Sequence, residues 1–334
     1  MTSSDNRWQM AMGAITGAMV ADARAHSSPT WTETSLTALG HGESLLSGHP
    51  LPIDLPPEVA VPAAIGSSTA GPPLLADGAT IALFETIRGA LDGDAVVASD
   101  PTVAKAIDIA SSLPFIAAVD SASDELAVLV GAMSGLSGGI GSIPARLACT
   151  TVAPDGRQGR RYLSGLTLRL LGIERPLWYD PRRRRGPKEV LPGLWLSNLY
   201  GVNGFMEAQP HGLVLSLCDD EGRVDGHEGE HLTFHLEDAP NSDANPNLVN
   251  VLDDVLTEIA EARGSGHPVL LHCRHGASRT GLVLRLILID ELGLDAEAAL
   301  MEAQCIWPHT STWNKAWNRE VERRAATHSR SVES

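Results

Sequence analysis

A chain of 334 residues is long for one hydrophobic core and comfortable for two domains. Its 43% hydrophobic and 20% charged residues are those of a soluble globular protein, and a net charge of −16 argues against non-specific binding to nucleic acid or to an anionic membrane. The charge is uneven: residues 1–150 hold five Lys/Arg against fifteen Asp/Glu, the remainder twenty against twenty-six. Attraction for anions must therefore be local, and the second half is where it would sit.

In chain order, Met10 to Ala21 is mildly apolar, and "ADARA" loosely resembles a leader-cleavage site. The stretch is Gly/Ala-rich, however, and follows Asp5 and a single Arg7, so a buried helix is expected. Residues 8–48 show small-residue faces at helical spacing, and 49–78, rich in Pro, Gly and Ser, reads as loop. Helical patterns resume at "TIALFETIRGAL", "PTVAKAIDIASSL", "DELAVLVGAMSGLSGGI" and "RRYLSGLTLRLLGI". The Gly and Ala at helical spacing predict close helix packing, and no apolar run approaches the ~20 residues of a membrane span. The first half is expected to be all-α.

"YDPRRRRGPKEV" places four arginines between prolines and reads as a solvated linker, with a docking site for an anionic partner as the alternative. From Val190 the texture changes. "GLWLSN", "GLVLSLC", "HLTFHL" and "PVLLH" have strand character and alternate with helical stretches at 246–263, 280–292 and 295–304. That alternation predicts an α/β domain with a largely parallel sheet and flanking helices. The expected organisation is a helical domain at 1–178, a basic linker at 179–187 and an α/β domain at 188–330. The four cysteines, Cys149, Cys218, Cys273 and Cys305, show neither a CxxC pair nor zinc spacing, so free thiols in a reducing, cytoplasmic setting are expected.

The most informative stretch is "PVLLHCRHGASRTGLVLRLILIDE", a strand, a glycine-containing turn and a helix. Such a strand delivers Cys273 to the sheet's C-terminal edge, where open α/β folds bind ligands. Arg274, His275, Gly276, Ala277 and Ser278 form a turn whose small members let the backbone curl round an anion. Those N–H groups and the helix N-terminus favour thiolate. Arg279 on the first helical turn would grip two phosphate oxygens, as Lys could not. Cys273 would then attack phosphorus, Thr280 would hydrogen-bond to the departing sulfur, and His272 would fix the cysteine from behind. The alternative is a buried core thiol beside a surface arginine.

"HCRHGASRTG" resembles the signature of the cysteine-dependent protein phosphatases, His-Cys-x5-Arg-Ser/Thr-Gly, and most of all its dual-specificity branch. The resemblance spans roughly 188–330, with "EVLPGLWLSNLYGV" and "GLVLSLCDDEG" similar to that branch's opening strands. It implies a phosphatase acting on phosphotyrosine, phosphoserine or phosphothreonine through a phosphocysteine, with no metal or organic cofactor. A general acid is needed on a nearby loop, and "HLEDAPNSDANPN" offers Glu237, Asp238 and Asp243. The family pattern matches Asp238, with Asp243 second. No segment resembles the phosphotyrosine-clamping loop of deep-pocket enzymes, which implies a shallow pocket. Arg274 and His275 add positive potential that would suit polyanions such as phosphoinositides or nucleotide-derived phosphates. A non-catalytic phospho-ligand module is the competing reading.

In the first half, "RWQMAMGAITGAMVADA", "WTETSLTALGHGESLLSG" and "DSASDELAVLVGAMSGLSGGIGSIPARL" resemble, in order, three motifs of the ADP-ribosylglycohydrolases, on a shortened chain. That family's magnesium-binding aspartates fall here on Glu33, Thr34, Ala122 and Asp124, a poor set for two magnesium ions. The resemblance implies a degenerate homologue that binds an ADP-ribose-like ligand or only packs, an active hydrolase being the weakest reading.

Overall fold

Helix α1, Ser4–Ala25, places Gly13 and Gly17 one turn apart, and a later helix, Asp124–Gly138, does the same with Gly131 and Gly135. The glycines face each other. A Cβ added at Gly13 would overlap the Gly135 carbonyl oxygen, and one at Gly17 would overlap that of Gly131. The two backbones therefore meet directly, which only glycine permits here.

The protein, seen in a computed structural model, is described at residues 4–27, 61–62, 64–65, 78–96, 98–151, 159–172, 185–218, 228–240 and 244–332. The chain divides into two compact units, Met1–Leu177 and Trp178–Ser334. In the first, α1 is followed by α2 (Gly78–Asp92), α3 (Pro101–Ser112), α4 (Phe115–Ser121), α5 (Asp124–Gly138), a 3-10 turn (Ile140–Ser142), α6 (Ala145–Thr150) and α7 (Gly159–Leu170). Asp100 caps α3 by accepting from the Thr102 and Val103 N–H groups at 2.8 and 3.3 Å, with Pro101 in the first turn. Trp8, Met12, Ile15 and Met19 of α1 meet Leu83, Ile87, Met133 and Leu136 in the core. All regular structure described in this unit is helical, as expected.

One reading needs amendment. The stretch 49–78, expected as loop, is helical at Val61–Pro62 and Ala64–Ile65. Val61, Ala64 and Ile65 are buried there, an i, i+3, i+4 apolar set that neighbouring prolines disguised. Helices α4 and α6 are too short to announce themselves by periodicity. The predicted helix after residue 27 lies outside the described residues.

The second unit is a five-stranded sheet in the order β1-β2-β5-β3-β4: β1 Lys188–Leu191, β2 Leu194–Asn198, β3 Leu213–Ser216, β4 His231–Thr233 and β5 Val269–Cys273. Only β1 runs antiparallel, through the turn at Gly193; β2, β5, β3 and β4 are parallel neighbours. All five residues of β5 are buried, as its central place between two parallel partners requires. A short α8, Val202–Ala208, brings Phe205 and Met206 against Trp195, Val214 and Leu270. After α9 (Leu248–Gly264) comes α10 (Ser278–Leu292), whose residues Ser278 to Ile289 are all buried. It packs on β5, α9, α11 (Ala296–Ile306) and α12 (Lys315–Val332). Among the described residues no helix is long and apolar enough to cross a membrane.

Candidate active site

Strand β5 ends at Cys273, in register with Asn198 of β2, so the cysteine emerges at the C-terminal edge of the parallel strands. The next four residues curl because their carbonyls are all drawn outward. The Arg274 oxygen accepts from Leu199 N–H (3.5 Å), that of His275 from Arg185 Nη1 (3.1 Å), and that of Gly276 from Trp307 Nε1 (2.8 Å). The Ala277 oxygen accepts from Gly281 N–H (3.0 Å) and Ser311 N–H (3.4 Å). With the oxygens turned out, N–H groups turn in: Gly276 N–H lies 3.2 Å from Cys273 Sγ, and the Ala277 and Thr280 amides also face the sulfur. Gly276 adopts φ +62°, and a Cβ there would come within 2.8 Å of the Ser197 oxygen.

Cys273 is 1% exposed, and burial alone pushes its thiol up. The Arg279 guanidinium, the Thr280 hydroxyl (3.0 Å from Sγ) and the amides outweigh that cost, so the thiol lies below its ordinary value. Arg279 is buried too. Its Nη1 donates to the carbonyls of Leu217 (3.2 Å) and Leu236 (3.0 Å), which fix the guanidinium plane. Its Nε is buried with no hydrogen-bond partner, a cost that an anion oxygen would remove. Burial lowers the arginine's pKa, but Cys273 and the other acidic groups nearby raise it more, so it stays charged.

Asp238 lies beyond β4, and its Oδ1 accepts from Ser278 Oγ at 3.0 Å, which places the carboxyl at the loop. The peptide carrying it is clamped at both ends. Asn245 accepts from Glu237 N–H (2.8 Å) and donates to the Glu237 oxygen (2.9 Å), while Asn314 Nδ2 donates to the Ala239 oxygen (2.8 Å). The structure thus brings Asp238 to Ser278 of the loop and within the field of Arg279, and leaves Glu237 as the residue through which the clamp acts. Asp243 lies outside the described residues.

His272 is fully buried behind the cysteine. Desolvation first, then the neighbouring His231 and Arg279, hold its pKa well below the ordinary 6.5, so it is neutral. Its Nε2 meets Ser216 Oγ, which also lies 3.1 Å from His231 Nε2. One hydroxyl proton cannot serve both rings, so Ser216 donates to one and accepts from the other. Ser216 pairs with His272 across the sheet, which is why strand register sets this contact.

In the N-terminal unit, Ala122 ends α4 against the helical core and Asp124 is exposed at the start of α5. Glu33 and Thr34 lie outside the described residues. A pocket of about 570 Å³ is lined by Val20, Arg24, Asp120, Leu147 and Thr151, with Arg24 Nη2 donating to Asp120 Oδ2 at 2.7 Å.

Sequence reasoning missed Arg185, Ser216, His231, Asn245, Trp307 and Asn314. Asn245 acts on Glu237 eight residues away and Arg185 lies in the arginine run, whereas Ser216, His231, Trp307 and Asn314 act through partners more distant in sequence. No protein-family model matches the chain, and no curated protein matches it. Among solved structures, the chain is similar to a mouse dual specificity phosphatase complexed with zinc tungstate (18% identity, TM-score 0.38), over 48% of this chain and 96% of that one. It is also similar to human DUSP28 (17% identity, TM-score 0.35; 44% of this chain, 94% of that one). A third is Tk-PTP in its active form (26% identity, TM-score 0.35; 41% of this chain, 96% of that one).

Proposed function

We propose that this chain is a cysteine-dependent phosphomonoesterase of the dual-specificity type, acting on phosphotyrosine, phosphoserine or phosphothreonine. The observation that carries the reading is the convergence of Arg279, the Thr280 hydroxyl and the loop amides on one buried sulfur. The Cys273 thiolate attacks phosphorus in line; the P–O bond to the leaving group breaks, and Asp238 delivers its proton to that oxygen. The loop amides, with Arg279, hold the charge on the transferring phosphoryl group. Water then attacks the phosphocysteine, Asp238 takes the proton, and the P–S bond breaks as Thr280 hydrogen-bonds to the departing thiolate.

The test is leaving-group dependence. Asp238→Asn in the full chain is expected to lower kcat/KM on a phosphoserine peptide about a hundredfold. On para-nitrophenyl phosphate, whose leaving group needs no proton, the loss is expected to be far smaller. Equal losses on both would remove Asp238 from the acid role, and absence of turnover by the wild type would favour the phospho-ligand module. For residues 1–178 we propose a trimmed ADP-ribosylglycohydrolase homologue without hydrolase activity, supported by Thr34 and Ala122 at positions where carboxylates would ligate magnesium. Magnesium-dependent ADP-ribose release by the Cys273→Ser protein would contradict that.

A further inference from the structure

Arg185 ends the arginine run, and its backbone is fastened to the rim of the site. Asn198 N–H donates to the Arg185 oxygen (2.8 Å), and Arg185 N–H donates to Asn198 Oδ1 (3.1 Å). The following Gly186, at φ +78°, lies so close to β2 that a Cβ would overlap the Leu196 oxygen. So anchored, the guanidinium reaches the anion loop from outside and donates through Nη1 to the His275 oxygen.

Holding a carbonyl needs one neutral donor, not a cation. Yet Arg185 joins a rim already carrying Arg274, His275 and His309, with Lys188 held nearby through its Nζ bond to the Ile306 oxygen (2.8 Å). His309 is T-stacked on Trp307, whose indole grips the loop. Burial first, then the positive fields of Arg185 and Lys188, push the His309 pKa below its ordinary value. Among these groups Asp238 is the carboxylate that opposes the field at His275. The fields of Arg185 and Lys188 overlap at His309, and those of Arg185 and Arg274 at His275, so one positive rim faces any second anionic group of a ligand held at the loop.

We propose that Arg185, with Arg274 and Lys188, forms a second anion subsite beside the Cys273 loop, and that the substrate is a small molecule carrying a further phosphate near the one cleaved. This rests on the phosphatase reading of the loop. The protein's acidity favours a free polyphosphate over a headgroup in an anionic membrane.

The experiment is calorimetric binding to full-length Cys273→Ser protein, with and without Arg185→Gln. The probes are inorganic phosphate, inositol hexakisphosphate, and phosphatidylcholine vesicles containing phosphatidylinositol 3,4,5-trisphosphate. Inositol hexakisphosphate is expected to bind at least about tenfold more tightly than phosphate, and Arg185→Gln to reduce that margin about tenfold. Arg323→Gln, on the exposed face of α12, should leave the margin intact. An unchanged margin in Arg185→Gln overturns the subsite. So does an equal loss for both soluble anions, which would assign Arg185 to holding the loop alone. Tighter binding to the vesicles than to the soluble probe would keep the subsite and overturn the free-polyphosphate assignment. Wild-type turnover of para-nitrophenyl phosphate reads the phosphatase step separately, so either idea can fail without the other.

Discussion

Cys273→Ser is expected to lower phosphomonoester turnover by about four orders of magnitude or more, because the sulfur is the nucleophile on which the whole proposed reaction turns. The field of Arg279 and the amides outweighs the cost of burial and lowers the pKa of the Cys273 thiol. It does not ionise a serine hydroxyl. The loss should fall on kcat, since the loop that binds phosphate is unaltered. Steady-state kinetics on full-length protein check this. The same cause predicts that iodoacetamide alkylation of the wild type shows a pH midpoint below that of an unperturbed cysteine, since the folded state lowers the thiol's pKa. A variant that retains wild-type turnover would remove Cys273 from the chemistry.

Arg279→Lys is expected to cost about a thousandfold in kcat/KM despite conserving charge. The guanidinium spends Nη1 on two backbone carbonyls and still has other N–H groups, including the unpartnered Nε, for phosphate oxygens. An ammonium is one point charge and cannot do both. It would satisfy the carbonyls of Leu217 and Leu236 or reach the substrate. A loss below about tenfold would mean that simple charge, not the planar fork, is what the site requires, and stopped-flow or steady-state assays on a phosphopeptide would show it.

Which parts of this site were legible in the sequence follows from how local each one is. Strand β5, the turn and α10 are contiguous, and their apolar pattern, small residues and polar loop announce them together. Cys273, Arg279 and Thr280 sit inside that segment. Asp238 was picked out through the family pattern, as a carboxylate just after a strand-like run, although Asp243 nearby kept an alternative open. The groups that hold the machinery are not local. Trp307 grips Gly276, Asn314 grips Ala239, and Ser216 meets His272 only because β3 and β5 are neighbours. Strand order decides those pairings, and periodicity does not encode it. Arg185 was hidden differently. In a run of four arginines it reads as solvated linker, with an anionic partner's docking site as the alternative, and its tie to Asn198 depends on a close approach at Gly186. In the helical unit, small residues foretold close packing, but not that Gly13 and Gly17 would meet Gly135 and Gly131.

If turnover passes through phosphate bonded to Cys273, rapid-quench labelling will trap that phosphocysteine. Full-length wild type is mixed with phosphorus-32-labelled substrate, quenched within the first turnover and digested for peptide mapping. Label is expected on the peptide containing Cys273, rising as a burst ahead of steady-state phosphate release and absent from Cys273→Ser. Turnover without label on that peptide, or with label on another residue, would contradict it.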